Sequence, residues 1–175
     1  FVFLDKNDLD ISNFDLVEKT IKNLETDIVI NCAAFTDVDK AENEDKLADL
    51  VNYFSVKNLA KICFENNLQL IHISTDYVFD GKKNEPYIES DLPNPINKYG
   101  LSKFSAENSI LDYNLTGSVI IRTSWVYSEL SNNFVRKIID KINLGHSFSV
   151  VDNEFGSPTN ASDLAKAILD IIPHL

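Results

Sequence analysis

Two residues four positions apart, Tyr99 and Lys103, are well suited to proton chemistry. Within a helix such residues project from one face, so the phenol and the ammonium can reach a common point. A tyrosine ordinarily keeps its proton until about pH 10, but a neighbouring ammonium stabilises the phenolate and lowers that pKa. The pair therefore predicts a proton donor for a carbonyl oxygen. Chance pairs of this spacing are nevertheless common on amphipathic helices.

A threonine hydroxyl is expected to act on the same oxygen. Thr75 lies 24 residues before Tyr99, at the C-terminal end of an apolar stretch that predicts a strand. That edge of an open parallel sheet is where ligands bind. A hydroxyl there can donate a hydrogen bond to the substrate oxygen and polarise the carbonyl for hydride attack. The alternative is that Ser74 and Thr75 only satisfy backbone groups at the strand end.

The elements that must position these residues follow the pattern of βαβ units, in which short apolar runs alternate with amphipathic stretches. The predicted strands are Phe1–Leu4, Asp27–Asn31, Leu70–Ser74, Ser118–Thr123 and Phe148–Val151. The predicted helices are Phe14–Leu24, Asp45–Asn66, Tyr99–Tyr113, Asn133–Leu144 and Ser162–Ile172. We therefore expect an α/β fold with a Rossmann-type, doubly wound parallel sheet.

The glycines bear on how much of such a fold this chain contains. All five are scattered, and none forms the G-x-x-G-x-x-G loop that follows the first strand of a dinucleotide-binding fold. We therefore expect the first β-α unit to lie upstream of Phe1, and most of a small C-terminal substrate region to be absent as well. On this interpretation residues 1–160 form a partial NAD(P)-binding domain, and residues 161–175 form a closing helix that leads into the substrate-binding region.

Composition excludes several classes of protein. The net charge is −11, from 27 acidic and 16 basic residues, so a nucleic-acid backbone would be repelled. No apolar run approaches the roughly 20 residues of a membrane-spanning helix, so no membrane partner is expected. Cys32 and Cys63 lie in apolar contexts and are interpreted as buried free thiols, which fits a reducing cytoplasm.

Three other features have structural rather than chemical interpretations. The acidic residues between Asp37 and Asp45 suit the N-terminus of a helix and have no histidine beside them, so no metal site is expected. His72, inside an apolar strand, is interpreted as a core histidine whose hydrogen bonds are satisfied. Trp125 follows an apolar strand and could be a core residue, and Asp5 and Asp10 could be solvated turn residues.

Four segments, with the Tyr99/Lys103 pair, carry a resemblance to a known family. They are Asn31–Glu42 (NCAAFTDVDKAE), Ser74–Gly81 (STDYVFDG), Arg122–Tyr127 (RTSWVY) and Phe155–Thr159 (FGSPT). In order and spacing the chain resembles the dTDP-4-dehydrorhamnose reductases, in the nucleotide-sugar branch of the extended short-chain dehydrogenase/reductases. The resemblance covers essentially all of the chain.

The resemblance implies roles for particular residues. The catalytic set would be Thr75, Tyr99 and Lys103. The cofactor, NADH or NADPH, would be bound by Asp5, Asp10, Ile11, Ala34, Phe35, Thr36 and Ile73, together with Tyr99 and Lys103. The substrate would be bound by Thr75, Asp76 and Trp125. An acidic residue at Asp5 favours NADH because it would repel a 2′-phosphate, although the adjacent Lys6 weakens that inference.

The function that the resemblance implies is reduction of the 4-keto group of a dTDP-6-deoxyhexulose, in the synthesis of precursors for cell-surface polysaccharide. A cytoplasmic enzyme is expected, and a homodimer is compatible with the family. Two alternatives stay open. One is a nucleotide-sugar epimerase or dehydratase of the same superfamily, although no glutamate stands beside Asp76 as a dehydratase would need. The other is a non-catalytic regulatory subunit similar to that of methionine adenosyltransferase.

Overall fold

The chain folds into two compact units, residues 1–122 with Leu175 and residues 123–174. The computed structural model describes residues 1–130, 133–150, 152 and 154–175. The division expected from the sequence, between residues 1–160 and 161–175, stays a prediction. Among the described residues no helix is long and apolar enough to cross a membrane.

The first unit is built on a three-stranded sheet. Its strands are β1 (Ile28–Asn31), β2 (Gln69–Thr75) and β3 (Val119–Thr123), in the order β1-β2-β3, and the last residue of β3 reaches the second unit. Strands β1 and β2 are parallel, and Asn31 lies opposite His72. Because parallel strands end at the same edge of a sheet, the segments that follow β1 and β2 leave the sheet together. The predicted Rossmann-type α/β class is confirmed.

Three of the five helices described in the first unit begin where a short polar side chain caps them. They are α1 (Phe14–Asn23), α2 (Val38–Asn43), α3 (Asp45–Asp49), α4 (Ser55–Asn66) and α5 (Lys98–Asp112). Asn13, Asp37 and Asn97 each accept a hydrogen bond from a backbone N–H in the first turn of α1, α2 and α5. A π-helical turn, Leu50–Phe54, joins α3 to α4, so the single predicted helix Asp45–Asn66 contains a bulge.

The core of the first unit lies between the sheet and helices α4 and α5. One cluster joins Val56, Ala60 and Cys63 of α4 to Leu70 of β2 and to two residues of α5, Ala106 and Ile110. A second cluster packs α1 against α4 through Val17, Ile21, Leu59 and Ile62. The packing fixes α5 against β2, and this places the first two turns of α5 beside the C-terminal end of that strand.

The second unit is smaller and less buried. It contains a two-stranded parallel sheet, β4 (Val126–Tyr127) with β5 (Thr159–Asn160), and the helices α6 (Phe134–Asn143) and α7 (Ala161–Ile171). Helix α6 is strongly amphipathic, yet none of its described residues is buried. Helix α7 buries Ile168.

Some local predictions were wrong. Phe1–Leu4 is irregular and exposed rather than a strand, because a strand needs a hydrogen-bonded neighbour and no described residue pairs with this segment. Residues 148–150 are also irregular, and Val151 of the same predicted strand lies outside the described residues. Cys63 is buried as expected, but Cys32 is exposed because it leaves β1 at the open edge of the sheet.

Candidate functional site

Thr75 ends β2 and caps the short 3₁₀ turn Asp76–Val78. Its hydroxyl accepts a hydrogen bond from the backbone N–H of Tyr77 (3.2 Å) and donates one to a carboxylate oxygen of Asp76 (3.2 Å). The side chain is buried. Thr75 therefore does satisfy a backbone group at the strand end, as the structural alternative expected. This bond also fixes the position of its hydroxyl.

Tyr99 is brought to Thr75 by a close approach of two backbones. A Cβ on the next residue, Gly100, would overlap the carbonyl oxygen of Tyr77, so only glycine lets the first turn of α5 lie this close. The Tyr99 ring packs edge-on against the Tyr77 ring, with 5.7 Å between centroids. Its hydroxyl shares a hydrogen bond with Thr75. The two predicted catalytic hydroxyls are thus neighbours.

The electrostatic environment of Tyr99 differs from the one that the pair of residues suggests. Burial raises the pKa of the Tyr99 phenol, the Thr75 hydrogen bond lowers it by less, and the nearby Asp76 and Tyr77 raise it further. A raised pKa keeps Tyr99 protonated near neutral pH, which is the form that can give a proton to a substrate oxygen. That Lys103 lowers this pKa during the reaction stays a prediction.

Lys103 lies one turn further along α5 and is 1% exposed. Its Nζ donates to the carbonyl oxygen of Ile73 (2.6 Å) and lies 3.1 Å from Nε2 of His72. Burial lowers the pKa of the Lys103 amine to about 8, and the nearby carboxylate of Glu107 opposes that change. The amine is therefore directed at β2.

The loop after β1 is held by a residue that the sequence interpretation missed. Asn52, buried in the π-helical turn, accepts from the backbone N–H of Phe35 (2.7 Å) and donates to its carbonyl oxygen (3.0 Å). It also donates to the hydroxyl of Ser102 (3.0 Å). An asparagine among the apolar positions of a long predicted helix was the available signal. Its bonds fix the predicted cofactor segment, in which Ala34 and Phe35 are half-buried and Thr36 is exposed.

Of the predicted adenosine-side residues, Asp5 lies in an exposed turn rather than at the end of a strand, and Asp10 and Ile11 are half-buried beside a second turn. A carboxylate oxygen of Asp5 accepts from the backbone N–H of Asn7 (2.7 Å) and that of Asp8 (3.2 Å), and these bonds lower its pKa. Asp10 accepts from both the backbone N–H and the hydroxyl of Ser12, which lowers its pKa. Asp10 also lines an open cleft of about 540 Å³, and Ile11 beside it is half-buried.

Trp125 belongs to the second unit, where it is 41% exposed and adopts a left-handed backbone conformation with φ of 45°. Its indole covers Gly156, since a Cβ on that glycine would lie 2.9 Å from the ring. A non-glycine residue in this conformation costs about 1–3 kcal/mol and is often found at functional sites. The alternative that Trp125 is a core residue is therefore wrong, because its side chain is exposed. Its role in substrate binding stays a prediction.

The structure thus brings some of the predicted residues together. Thr75, Tyr99 and Asp76 form one hydrogen-bonded group. Lys103 and the carbonyl of Ile73 form a second group further into β2. Asp5 and Asp10 are held instead by hydrogen bonds within their own turns. Among the described residues no group of three histidine, cysteine or acidic side chains could hold a metal ion.

The sequence of this chain is similar to those of known proteins. The protein family described as RmlD substrate binding domain matches residues 1–175. The dTDP-4-dehydrorhamnose reductase of Escherichia coli K12 is 40% identical over 156 residues, which cover 89% of this chain and 52% of that protein. The dTDP-4-keto-6-deoxy-D-glucose reductase of Streptomyces niveus is 37% identical over 99% of this chain and 60% of its own length.

Solved structures agree with these relatives. A dTDP-4-dehydrorhamnose reductase from Clostridium acetobutylicum superposes with a TM-score of 0.92 at 39% identity and covers 99% of this chain and 61% of its own. The Bacillus anthracis enzyme, solved in complex with NADP, has a TM-score of 0.92 at 39% identity and covers 97% of this chain and 60% of its own. This chain therefore spans between about half and 61% of the length of these relatives.

Proposed function

Because the chain belongs to the RmlD substrate binding domain family, we propose that it forms part of an NAD(P)H-dependent dTDP-4-dehydrorhamnose reductase. The reaction would reduce the 4-keto group of dTDP-4-dehydro-6-deoxy-L-mannose and give dTDP-L-rhamnose. The observation that carries the proposal is the contact between the buried hydroxyls of Thr75 and Tyr99 at the C-terminal end of β2. Since the named relatives are reductases, the epimerase, dehydratase and regulatory alternatives are not favoured.

Proton delivery would fall to Tyr99. Its phenol stays protonated near neutral pH because burial raises its pKa, so it can donate to an alkoxide that develops at C4. Thr75 would donate a second hydrogen bond to the same oxygen, in place of its present bond to Asp76. Because the cap of the 3₁₀ turn already fixes the Thr75 side chain, little reorganisation would be needed when the substrate binds.

The side chains at this edge of the sheet fit a nicotinamide cofactor, whose bound form would supply the hydride. Half-buried Ala34 and Phe35 offer an apolar surface for a flat ring, and Asn52 holds their loop in place. Lys103 offers an amine for ribose hydroxyls if it leaves the carbonyl of Ile73. The adenosine half would be held by the residues predicted for it, namely Asp5, Asp10 and Ile11.

Further predictions concern the surroundings of the enzyme. The product would enter cell-surface polysaccharide. A relative from Bacillus subtilis that is 37% identical to this chain, a spore coat polysaccharide biosynthesis protein, supports this proposal. The cysteines of the described structure are free, which fits the reducing cytoplasm that we propose as its location. A homodimer is also a prediction.

A direct assay tests the proposal. Oxidation of NADH or NADPH by the full protein would be followed with and without dTDP-4-dehydro-6-deoxy-L-mannose. We expect oxidation only when the keto sugar is present, and its near loss in the Tyr99→Phe variant. Tyr113→Phe, at the C-terminal end of the same helix, is the matched control and should keep the rate. An intact, folded protein that oxidises neither cofactor with this sugar would contradict the proposed function.

A further inference from the structure

A buried histidine that the proposed reaction does not use lies between the sheet and Lys103. His72 is 0% exposed and sits opposite Asn31 in the β1–β2 pair, and Asn31 is 4% exposed. Nδ1 of His72 lies 3.0 Å from Nδ2 of Asn31, and Nε2 lies 3.1 Å from Nζ of Lys103. Both ring nitrogens therefore have a partner. Whether each partner donates or accepts decides which nitrogen of His72 carries the hydrogen.

The orientation of the Asn31 amide is set by the backbone. Its Oδ1 accepts a hydrogen bond from the backbone N–H of Ala33 (3.1 Å). Turning the amide over would place its NH₂ group against that N–H, so the two donors would face each other. Nδ2 of Asn31 must therefore be the atom that faces His72, and it donates to Nδ1. An accepting Nδ1 leaves the hydrogen of a neutral imidazole on Nε2.

This tautomer determines which form of Lys103 fits. The Nε2–H of His72 points at Nζ of Lys103, and an ammonium group has three donors and no lone pair to accept it. An uncharged amine can accept from Nε2–H and still donate to the carbonyl oxygen of Ile73 at 2.6 Å. The Nε2–H of His72 then has an acceptor, whereas a charged amine would leave two buried donors facing each other.

Among the other groups near the Lys103 amine, the Glu107 carboxylate favours the charged form. Glu107, one turn further along α5, is held by Arg122 through hydrogen bonds of 2.7 and 3.0 Å, so its charge is largely compensated. Although Cys32 is exposed as a residue, partial desolvation of its thiol raises its pKa, and burial raises the pKa of the Tyr99 phenol, so both groups are neutral near pH 7. Burial and the neighbouring Lys103 lower the pKa of His72, which therefore stays uncharged.

We propose that His72 is a positioning residue for Lys103: fixed by Asn31 as the Nε2–H tautomer, it binds the uncharged amine and releases the charged one. The catalytic consequence of this inference rests on the proposed function. In that reaction the released, charged amine is the form that could bind a ribose or stabilise a tyrosinate. Proton uptake by Lys103 would then be coupled to its movement away from β2.

The test is an NMR titration of the full protein without cofactor or sugar. Long-range ¹H–¹⁵N spectra report which nitrogen of His72 carries hydrogen, and the Lys103 side-chain shifts report its protonation. The two sets of signals are assigned by their loss in His72→Gln and in Lys103→Met. We expect a neutral Nε2–H imidazole, with Lys103 titrating near pH 8. An Nδ1–H tautomer, an imidazolium ion or an ordinary lysine titration would overturn the proposal.

Two variants show whether His72 is the cause. In His72→Gln the side-chain oxygen can turn toward the amine and accept from an ammonium, so the Lys103 titration should move up by about one unit, a tenfold change in proton affinity. His146→Gln, at an exposed position, is the control and should leave it unchanged. An unchanged Lys103 titration in a folded His72→Gln protein would contradict the proposed role.

A second variant keeps the test decisive if His72→Gln does not fold. Asn31→Asp still accepts from Ala33 but can only accept from His72, so the imidazole hydrogen should move to Nδ1. Nε2 would then accept from the ammonium, and the Lys103 titration should move up. If the hydrogen stays on Nε2 in this variant, Asn31 does not set the tautomer. Because no readout needs turnover, an inactive protein could still support or contradict this inference.

Discussion

Two parts of the molecule that are expected to serve one reaction differ in how their side chains are held. Tyr99 is 9% exposed and Lys103 is 1% exposed, and hydrogen bonds to Thr75 and to β2 fix both. Trp125 is 41% exposed, and Asp5 lies in an exposed turn where its carboxylate accepts hydrogen bonds from backbone N–H groups two and three residues along the chain. Proton transfer needs fixed distances, whereas groups that hold the outer ends of a ligand can adjust as it binds. Substitutions should therefore have large effects at the buried centre and small effects at the exposed positions.

The largest effect is expected at the proton donor. Tyr99→Phe removes the hydroxyl but little volume, so turnover should fall by about 10²–10⁴-fold, as is typical when a general acid is lost. Steady-state rates and a thermal unfolding curve, measured beside Tyr113→Phe, separate chemistry from folding. Turnover within about threefold of wild type would show that Tyr99 does not donate the proton.

The next effect concerns the close approach that positions Tyr99. In Gly100→Ala the new methyl group meets the carbonyl oxygen of Tyr77, so the free energy of unfolding should fall by about 1–3 kcal/mol although alanine favours a helix. Lys98→Ala, at the exposed first residue of the same helix, is the control. Urea unfolding measures both. Equal stability of the two variants would mean that α5 can move away from the 3₁₀ turn without cost.

Buried Lys103 should also make stability depend on pH. The native amine loses its proton at about pH 8, whereas in the unfolded chain it keeps it to the ordinary lysine value of 10.5. Between these values the unfolded state binds more protons, so stability rises with pH. The free energy of unfolding of wild type, relative to Lys103→Met, should therefore increase from pH 8 to about pH 10. Both proteins contain the same cysteines, so the comparison with Lys103→Met cancels much of their contribution. A difference in unfolding free energy that stays constant over this pH range would contradict the lowered pKa of Lys103.

A smaller effect is expected at the exposed indole. If Trp125 stacks on the sugar or base, Trp125→Ala should raise KM by about 2- to 10-fold and leave kcat nearly unchanged, because stacking contributes about 0.5–1.5 kcal/mol. Trp125→Phe keeps an aromatic ring and should recover part of the binding. A fall in kcat as large as that of Tyr99→Phe would place Trp125 with the reacting groups instead.

The smallest effect is expected at the turn after Phe1–Leu4. Asp5→Ala removes a negative charge that would oppose a 2′-phosphate, so the preference for NADPH over NADH should rise, by no more than about fivefold for so exposed a charge. Lys6→Ala removes the adjacent positive charge and should move the preference the other way. The ratio of kcat/KM values for the two cofactors measures both, and an unchanged ratio in both variants would mean that neither side chain faces the ribose.

Much of the fold follows from local patterns in the sequence. Apolar periodicity and cap residues place α1, α5, β1 and β2, and the C-terminal end of α4, within one or two residues of their predicted bounds, because these signals act over a few neighbouring positions. Phe1–Leu4 shows where this reasoning stops, since an apolar run becomes a strand only when a neighbour supplies hydrogen bonds. The bulge at Leu50–Phe54 has no comparable signal in the local sequence.

The sequence by itself determined which groups are available for chemistry: the spacing of Tyr99 and Lys103 on one helix and the position of Thr75 at a strand end. Tertiary structure decided what each group faces. The Thr75 hydroxyl meets Tyr99 because Gly100 admits the backbone of Tyr77, and the Lys103 amine meets His72 and Ile73 because α5 packs on β2. Helical spacing fixes only the face from which a side chain leaves. Its partners and its pKa depend on residues distant in sequence that burial brings within hydrogen-bonding distance.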